Sequence, residues 1–319
     1  MRRIDYMDTA KGIAMLAVIL GHITTNKIRV ILFVFHLPVF FIISGYFFHP
    51  QTNFKSFLIK KAKSYLIPYV FASVVIAIFR TVRSDNPEYT AYHNLIRFVF
   101  QYRYSTLWFL SALFVGEIIF WILYTLSKKN IRLLAITCIT LSTCFILFDE
   151  FLHFAVPWNI DTAFIIQIFL FMGFFLKERN CIKLLSSNKI IAIIAFAFIG
   201  LITTICNYIL CGQTFEMCES HYGVFPLTIV AACTTSLAII LLSTLINIRP
   251  LRWLGKNTMT FFAFHQEVAQ PIMITLLIPY IPVNSLLGTT LTFIGVLLIC
   301  YLIHYCLMTL HLGFLIGKR

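Results

Sequence analysis

Ten runs of about twenty mostly apolar residues constrain the fold of this 319-residue chain more than any other feature. Such a run is what an α-helix needs to cross a hydrocarbon core of about 30 Å. The runs fall near residues 10–26, 30–48, 64–80, 106–126, 131–148, 161–176, 188–210, 223–246, 258–278 and 286–308. Backbone amides in lipid must bond within their own segment, and the runs show no barrel-like alternation. The sequence therefore predicts an all-α, polytopic transmembrane helix bundle of about ten spans. Only 12% of residues are charged, against about 25% in soluble domains, so residues 1–319 read as a single integral membrane domain.

Charge orients the predicted spans. With the N-terminus in the cytoplasm, the inner segments hold Arg2, Arg3, Lys11, Lys55, Lys60, Lys61, Lys63, Lys128, Lys129 and Arg132. They also hold Lys177, Arg179, Lys183, Lys189, Arg249, Arg252, Lys256, Lys318 and Arg319, making 19 of the 25 basic residues. Lys27, Arg29, Arg80, Arg83, Arg97 and Arg103 fall outside. This bias places both termini in the cytoplasm. It also assigns the net charge of +13 to a rim facing anionic membrane lipids, not to nucleic acid. Arg2 and Arg3 before an apolar run mimic a signal peptide, but no small-x-small cleavage site follows, so the run is expected to stay as the first span.

The connections carry further expectations. The longest, about residues 81–105, lies outside, and its aromatic and basic stretch Tyr89–Tyr104 suits an interfacial helix or re-entrant element. Other outer loops are acidic, with Asp149, Glu150 and Asp161 in one and Glu216 and Glu219 in another. The nine cysteines lack metal-ligand spacing, so no metal site is expected. Cys211 and Cys218 share an outer loop and read equally well as a disulfide or as two thiols. No internal repeat suggests two related halves.

Ionisable groups within spans are costly and are functional candidates for that reason. Lys11 and His22 are eleven residues apart, three turns plus roughly 20°, so they share a helix face about 16 Å apart along the axis. Asp8, three residues before Lys11, can pair with it on that face. His36 lies about 10 Å below the outer boundary, His265 about 13 Å above the inner one and Glu117 about 16 Å down from outside. These groups could converge on one layer if the bundle brings their helices together. Pro38 can kink the second span, and Ser44 and Gly45 allow close helix approach. Lys60, Lys61 and Lys63 form a cationic cluster that suits either inner-face anchoring or a phosphate site.

At these residues the chain resembles the membrane acyltransferases called acyltransferase-3, and most of all their fucose 4-O-acetylase-related branch. The likeness rests on Asp8-x-x-Lys11-Gly-Ile-Ala through Gly21-His22, and on Phe35-His36-Leu37-Pro38 through Ser44-Gly45-Tyr46. It rests also on Lys60 to Tyr69, followed by Leu107-Trp108-Phe109-Leu110, and on Leu254 to His265. Where many members carry arginines in the first and third segments, this chain has lysines. The resemblance implies transfer of acetyl from cytosolic acetyl-CoA to a hydroxyl of a cell-surface glycan or a lipid-linked sugar, in a bacterial cytoplasmic membrane. It implies His22 as general base or transient acetyl carrier, with Asp8 orienting Lys11 or balancing its charge. Lys11, Lys60, Lys61 and Lys63 would face the CoA phosphates. His265 and Glu117 would position the acceptor, and His36, Arg103 and Trp108 would meet the sugar. The rival expectation is a transporter or flippase with a mid-membrane His/Glu pathway, which would consume no acetyl-CoA.

Overall fold

A computed structural model describes residues 4–24, 27–51, 53–103, 105–152 and 156–318, without the side chains of 149–152 and 186–187. Arg2, Arg3, Tyr104 and Arg319 therefore lie outside the described residues, as do the side chains of Asp149 and Glu150. The described chain is helical, as hydrocarbon-soluble backbone requires. The helices are α1 (Asp5–Ile23), α2 (Ile28–Phe35), α3 (Pro38–Tyr46), α4 (Phe54–Val82), α5 (Pro87–Phe100), α6 (Trp108–Leu126) and α7 (Ile131–Leu152). There follow α8 (Ile160–Ile165), α9 (Gln167–Glu178), α10 (Cys181–Leu184), α11 (Lys189–Cys211), α12 (Leu227–Ser243) and α13 (Arg249–Lys256). The last are α14 (Thr258–Phe264), α15 (Gln270–Leu277), joined to it by a π-helical turn His265–Ala269, and α16 (Leu286–Thr309). Among the described residues no strand forms, and an isolated antiparallel bridge pairs Glu216 with His221.

Among the described residues the core of each of the ten apolar runs is helical, and six stretches are long and apolar enough to cross a membrane. The consecutive helices of residues 157–178 add a seventh if their 51° bend is one broken span. The other three runs fall short for local reasons. Helix α1 carries Asp5, Asp8, Lys11 and His22, α12 has 17 residues, and the run 258–277 is interrupted by the π turn. Outward faces carry large apolar side chains, such as Ile190, Ile194, Phe198 and Ile209 on α11. With its span-length helices the chain is a multi-pass membrane protein.

Lipid supplies no hydrophobic drive between helices, so close packing must hold them together. At the α3–α9 crossing a Cβ placed on Gly173 would lie 1.8 Å from the Ile42 carbonyl oxygen, and one on Gly45 2.0 Å from that of Leu170. The two backbones touch, which only glycine permits. The same holds where α1 meets α13, since a Cβ on Gly255 would lie 1.7 Å from the Asp8 oxygen. Arg252 completes that junction with an ion pair to Asp5 at 2.7 Å. The α1–α13 contact defines one end of the bundle, here the foot; the opposite end, where α1 finishes, is the head.

One element differs from the sequence reading, and another follows it. Helix α4 begins ten residues earlier than the predicted span, because Asn53 caps it by accepting the Ser56 amide at 3.2 Å. Lys60, Lys61 and Lys63 consequently ride on a continuous helix rather than preceding one. The second span is two helices, with Pro38 as the first residue of α3 and the break at His36–Leu37. The missing proline amide explains that break. The segment expected to be interfacial is α5, capped by Asn86 and ended by Gln101 in the left-handed region at φ 50°.

Candidate active site

Three histidines meet at the head of the bundle, each placed by a different local device. His22 occupies the last turn of α1, and its carbonyl accepts a hydrogen bond from Gln270 Nε2 at 3.1 Å. Its ring lies against Phe33 at 5.6 Å between centroids and against His265 at 5.3 Å. His36 sits at the α2–α3 break, where its Nδ1 lies 3.1 Å from the Leu32 carbonyl and 3.0 Å from that of Phe33. Carbonyls only accept, so the proton is on Nδ1 and the lone pair is on Nε2.

His265 opens the π turn. The wide i→i+5 register leaves carbonyls of the preceding turn to side chains. Phe262 O accepts from Thr106 Oγ1 at 3.1 Å and from His265 Nδ1 at 3.0 Å, while Phe261 O is 2.9 Å from the same Nδ1. The proton is again fixed on Nδ1. Nε2 of His265 is buried with no hydrogen-bond partner.

A cavity of about 340 Å³ opens beside this group. His22 and His36 line it together with Arg29, Arg103, Trp108 and Gln266; His265 is not in its wall. The residues between α11 and α12 roof it, through Glu216, Met217, Cys218 and Glu219. Two arginines clasp that roof. Arg29 Nη2 donates to both Glu216 oxygens at 2.8 and 2.9 Å and its guanidinium stacks 4.5 Å above the Phe33 ring. Arg103 donates to Asp161 at 2.8 Å and also to Ser220 Oγ. Burial raises the Glu216 carboxyl above its usual range, with Arg29 pulling the other way. Burial also pushes the Cys218 thiol up to about 12, so it stays a neutral thiol. Cys211 and Cys218 are both free, which decides between the two readings of the pair.

Arg103 and Trp108 are positioned by a buried amide. Asn159 Nδ2 donates to Ser111 Oγ at 2.7 Å and to the Gln101 carbonyl at 3.2 Å. This ties the start of α6 and the end of α5 to the segment before α8.

Glu117 and the lysines lie elsewhere. Glu117 is 1% exposed and outside the cavity wall. It pairs with Lys61, accepts from Ser44 Oγ, and accepts from Tyr65 Oη at 3.1 Å. Nine residues of α6 separate it from Trp108, about 13 Å along the axis. The histidines and Glu117 therefore form two groups rather than one layer. Lys11 pairs with Asp8 at 3.0 Å, as their spacing predicts, and reaches over the Phe47 ring at 5.9 Å. Lys60 and Lys63 are exposed on α4. Glu267 turns away from the histidines to Arg80, at 2.6 Å.

Sequence reasoning missed Arg29 and Glu216 as cavity residues and Asp161 as the partner of Arg103. Arg29 left a trace, since it precedes His36 by seven residues, two helical turns on the same face. Nothing local marks Glu216 or Asp161, whose partners are 187 and 58 residues away.

No curated protein and no solved structure matches the chain. A family model described as an acyltransferase domain matches residues 4–305, and so takes in α1, the histidine cavity, the Glu117 cluster and most of α16. A match over almost the full length leaves one assignment: the chain belongs to the acyltransferase-3 family of membrane acyltransferases.

Proposed function

We propose that this acyltransferase moves acetyl from cytosolic acetyl-CoA to a sugar hydroxyl of a cell-surface glycan or its lipid-linked precursor, with His22 as general base. On this reading ten spans cross a bacterial cytoplasmic membrane with both termini inside, so that the foot faces the cytosol and the cavity faces out. The observation that carries it is the cavity wall. Two imidazoles, two guanidinium groups and Trp108 line one space of about 340 Å³.

The chemistry suits the groups present. A sugar hydroxyl is a weak nucleophile, and an imidazole is the base suited to activating it near neutral pH. His22 takes the hydroxyl proton as oxygen attacks the thioester carbonyl. The new C–O bond forms, the C–S bond breaks, and His22 returns the proton to the departing sulfur. His36 Nε2, with its lone pair fixed by backbone, accepts from a second hydroxyl of the same sugar. Trp108 offers a flat apolar face to the C–H side of the ring.

Donor binding falls to the foot. Lys60 and Lys63 are exposed there and can neutralise phosphate, whereas Lys61 is engaged by Glu117. Lys11 stands about 16 Å below His22 on the same face of α1, which the extended arm of CoA must cover. Asp8 holds Lys11 in place.

The test incubates membranes with labelled acetyl-CoA and follows acetyl in glycan for wild type and His22→Ala. The variant is expected to insert normally and to lose transfer. A folded, inserted His22→Ala protein that acetylates at the wild-type rate removes His22 as the base.

A further inference from the structure

His265 lies behind His22, outside the cavity wall, with its ring 5.3 Å from that of His22. It is 1% exposed, and its Nε2 is a buried acceptor without a partner. Most buried polar atoms in proteins are paired, so an orphan beside the proposed base calls for a role. The π turn supplies the reason for its orientation. Two carbonyls, of Phe261 and Phe262, hold the Nδ1 proton and leave the Nε2 lone pair no alternative tautomer.

We infer that His265 is a positioning residue that acts through His22: when substrate is bound, its Nε2, unpartnered here, accepts the N–H of the His22 nitrogen that does not face the acceptor. The inference rests on His22 being the base proposed above. With that N–H engaged, the other nitrogen of His22 presents its lone pair to the acceptor hydroxyl. When His22 takes the hydroxyl proton, the rear N–H of the imidazolium remains bonded to His265. The proton leaves by the front nitrogen to the thiolate as C–S breaks, and His265 ends the cycle unchanged. The arrangement parallels a carboxylate orienting a catalytic histidine, but adds no formal charge to a buried site.

The same membrane assay tests this with His265→Ala, His265→Gln and Thr260→Val. Thr260 lies on α14 five residues before His265 and bonds His304 at 3.0 Å, so its variant reports general damage to that helix. His265→Ala is expected to lower kcat on the order of 10²-fold, leave the KM for acetyl-CoA within about twofold, and move the acidic limb of the pH–rate profile. His265→Gln, whose side-chain oxygen can replace Nε2 as acceptor, should recover part of kcat. Thr260→Val should keep the wild-type limb.

A His265→Ala protein with wild-type kcat and an unmoved limb overturns the inference, as does a loss confined to KM. Should the alanine variant fail to accumulate, an accumulated glutamine variant with no better transfer than His22→Ala overturns it equally. Full activity in His22→Ala would instead remove the base assignment itself, so the two failures are distinguishable.

Discussion

The bundle contains two buried polar groups of opposite character. Around Glu117, three side chains from α3 and α4 converge on one carboxylate, which gains a cation and two hydroxyl donors. Around His22, two neighbouring imidazoles have Nδ1 held by backbone carbonyls, which leaves the lone pair on Nε2. A buried polar group that has spent its hydrogen bonds fixes structure, and one that retains an unused acceptor is available for chemistry. By that criterion Glu117 ties helices together, and the histidines retain acceptors, as the proposed reaction requires.

The contrast breaks most sharply on paired alanine variants. His22→Ala should lower acetyl transfer by about 10³-fold with thermal stability in detergent unchanged, the range general-base loss produces. Glu117→Ala should do the reverse, costing about 3–5 kcal/mol of stability because Lys61 loses its partner in a largely buried setting. Thermal melting of the detergent-solubilised protein reads this, and Glu117→Gln, still able to accept from Ser44 and Tyr65, should lose less. A Glu117→Ala protein with normal melting and abolished transfer would merge the two groups into one.

A smaller effect sharpens the division within the cavity. His36→Ala removes a fixed acceptor from the wall and should raise the acceptor KM about tenfold while moving kcat less. Equal loss in kcat would make His36 a second base.

The smallest effect concerns the roof. The Glu216 carboxyl is raised by burial, so it takes up its proton at a higher pH than an ordinary carboxylate. Its pairing with Arg29 is therefore lost as pH falls through that raised value. Measured against the unfolded chain, the buried carboxyl costs stability as pH rises from its ordinary value to the raised one. Glu216→Gln mimics the protonated form and should make Cys218 react a few-fold faster with a maleimide at fixed pH. Unchanged labelling would show that the roof is held without this pair.

Much of this was legible in the sequence because it is local. The apolar runs fall on helices, Asp8 meets Lys11 across one turn, and Pro38 breaks the second span where its missing amide demands. Gly45 was legible as a point of close approach, although the helix that approaches it, α9, was not. Other features depend on partners far away in the chain. Glu117 reads as one more member of a mid-membrane layer until Lys61 and Tyr65 are seen to occupy it. The free acceptor of His265 depends on a π register that no residue pattern in Phe264–Gln270 announces. Depth along a helix could be counted from the sequence, but the direction a side chain faces could not.

The π turn has one more consequence. A wide turn amounts to one extra residue in an otherwise regular helix, and each residue of an α-helix accounts for about 100° of rotation. The stretch from Gln270 onward is therefore turned about its axis relative to α14, like a screw thread restarted out of phase. Gln270 meets the His22 carbonyl at the end of α1 with that offset in place. Removing Val268 or Ala269 would return the helix to regular pitch and carry Gln270 away from the His22 carbonyl, without altering a residue in the cavity wall.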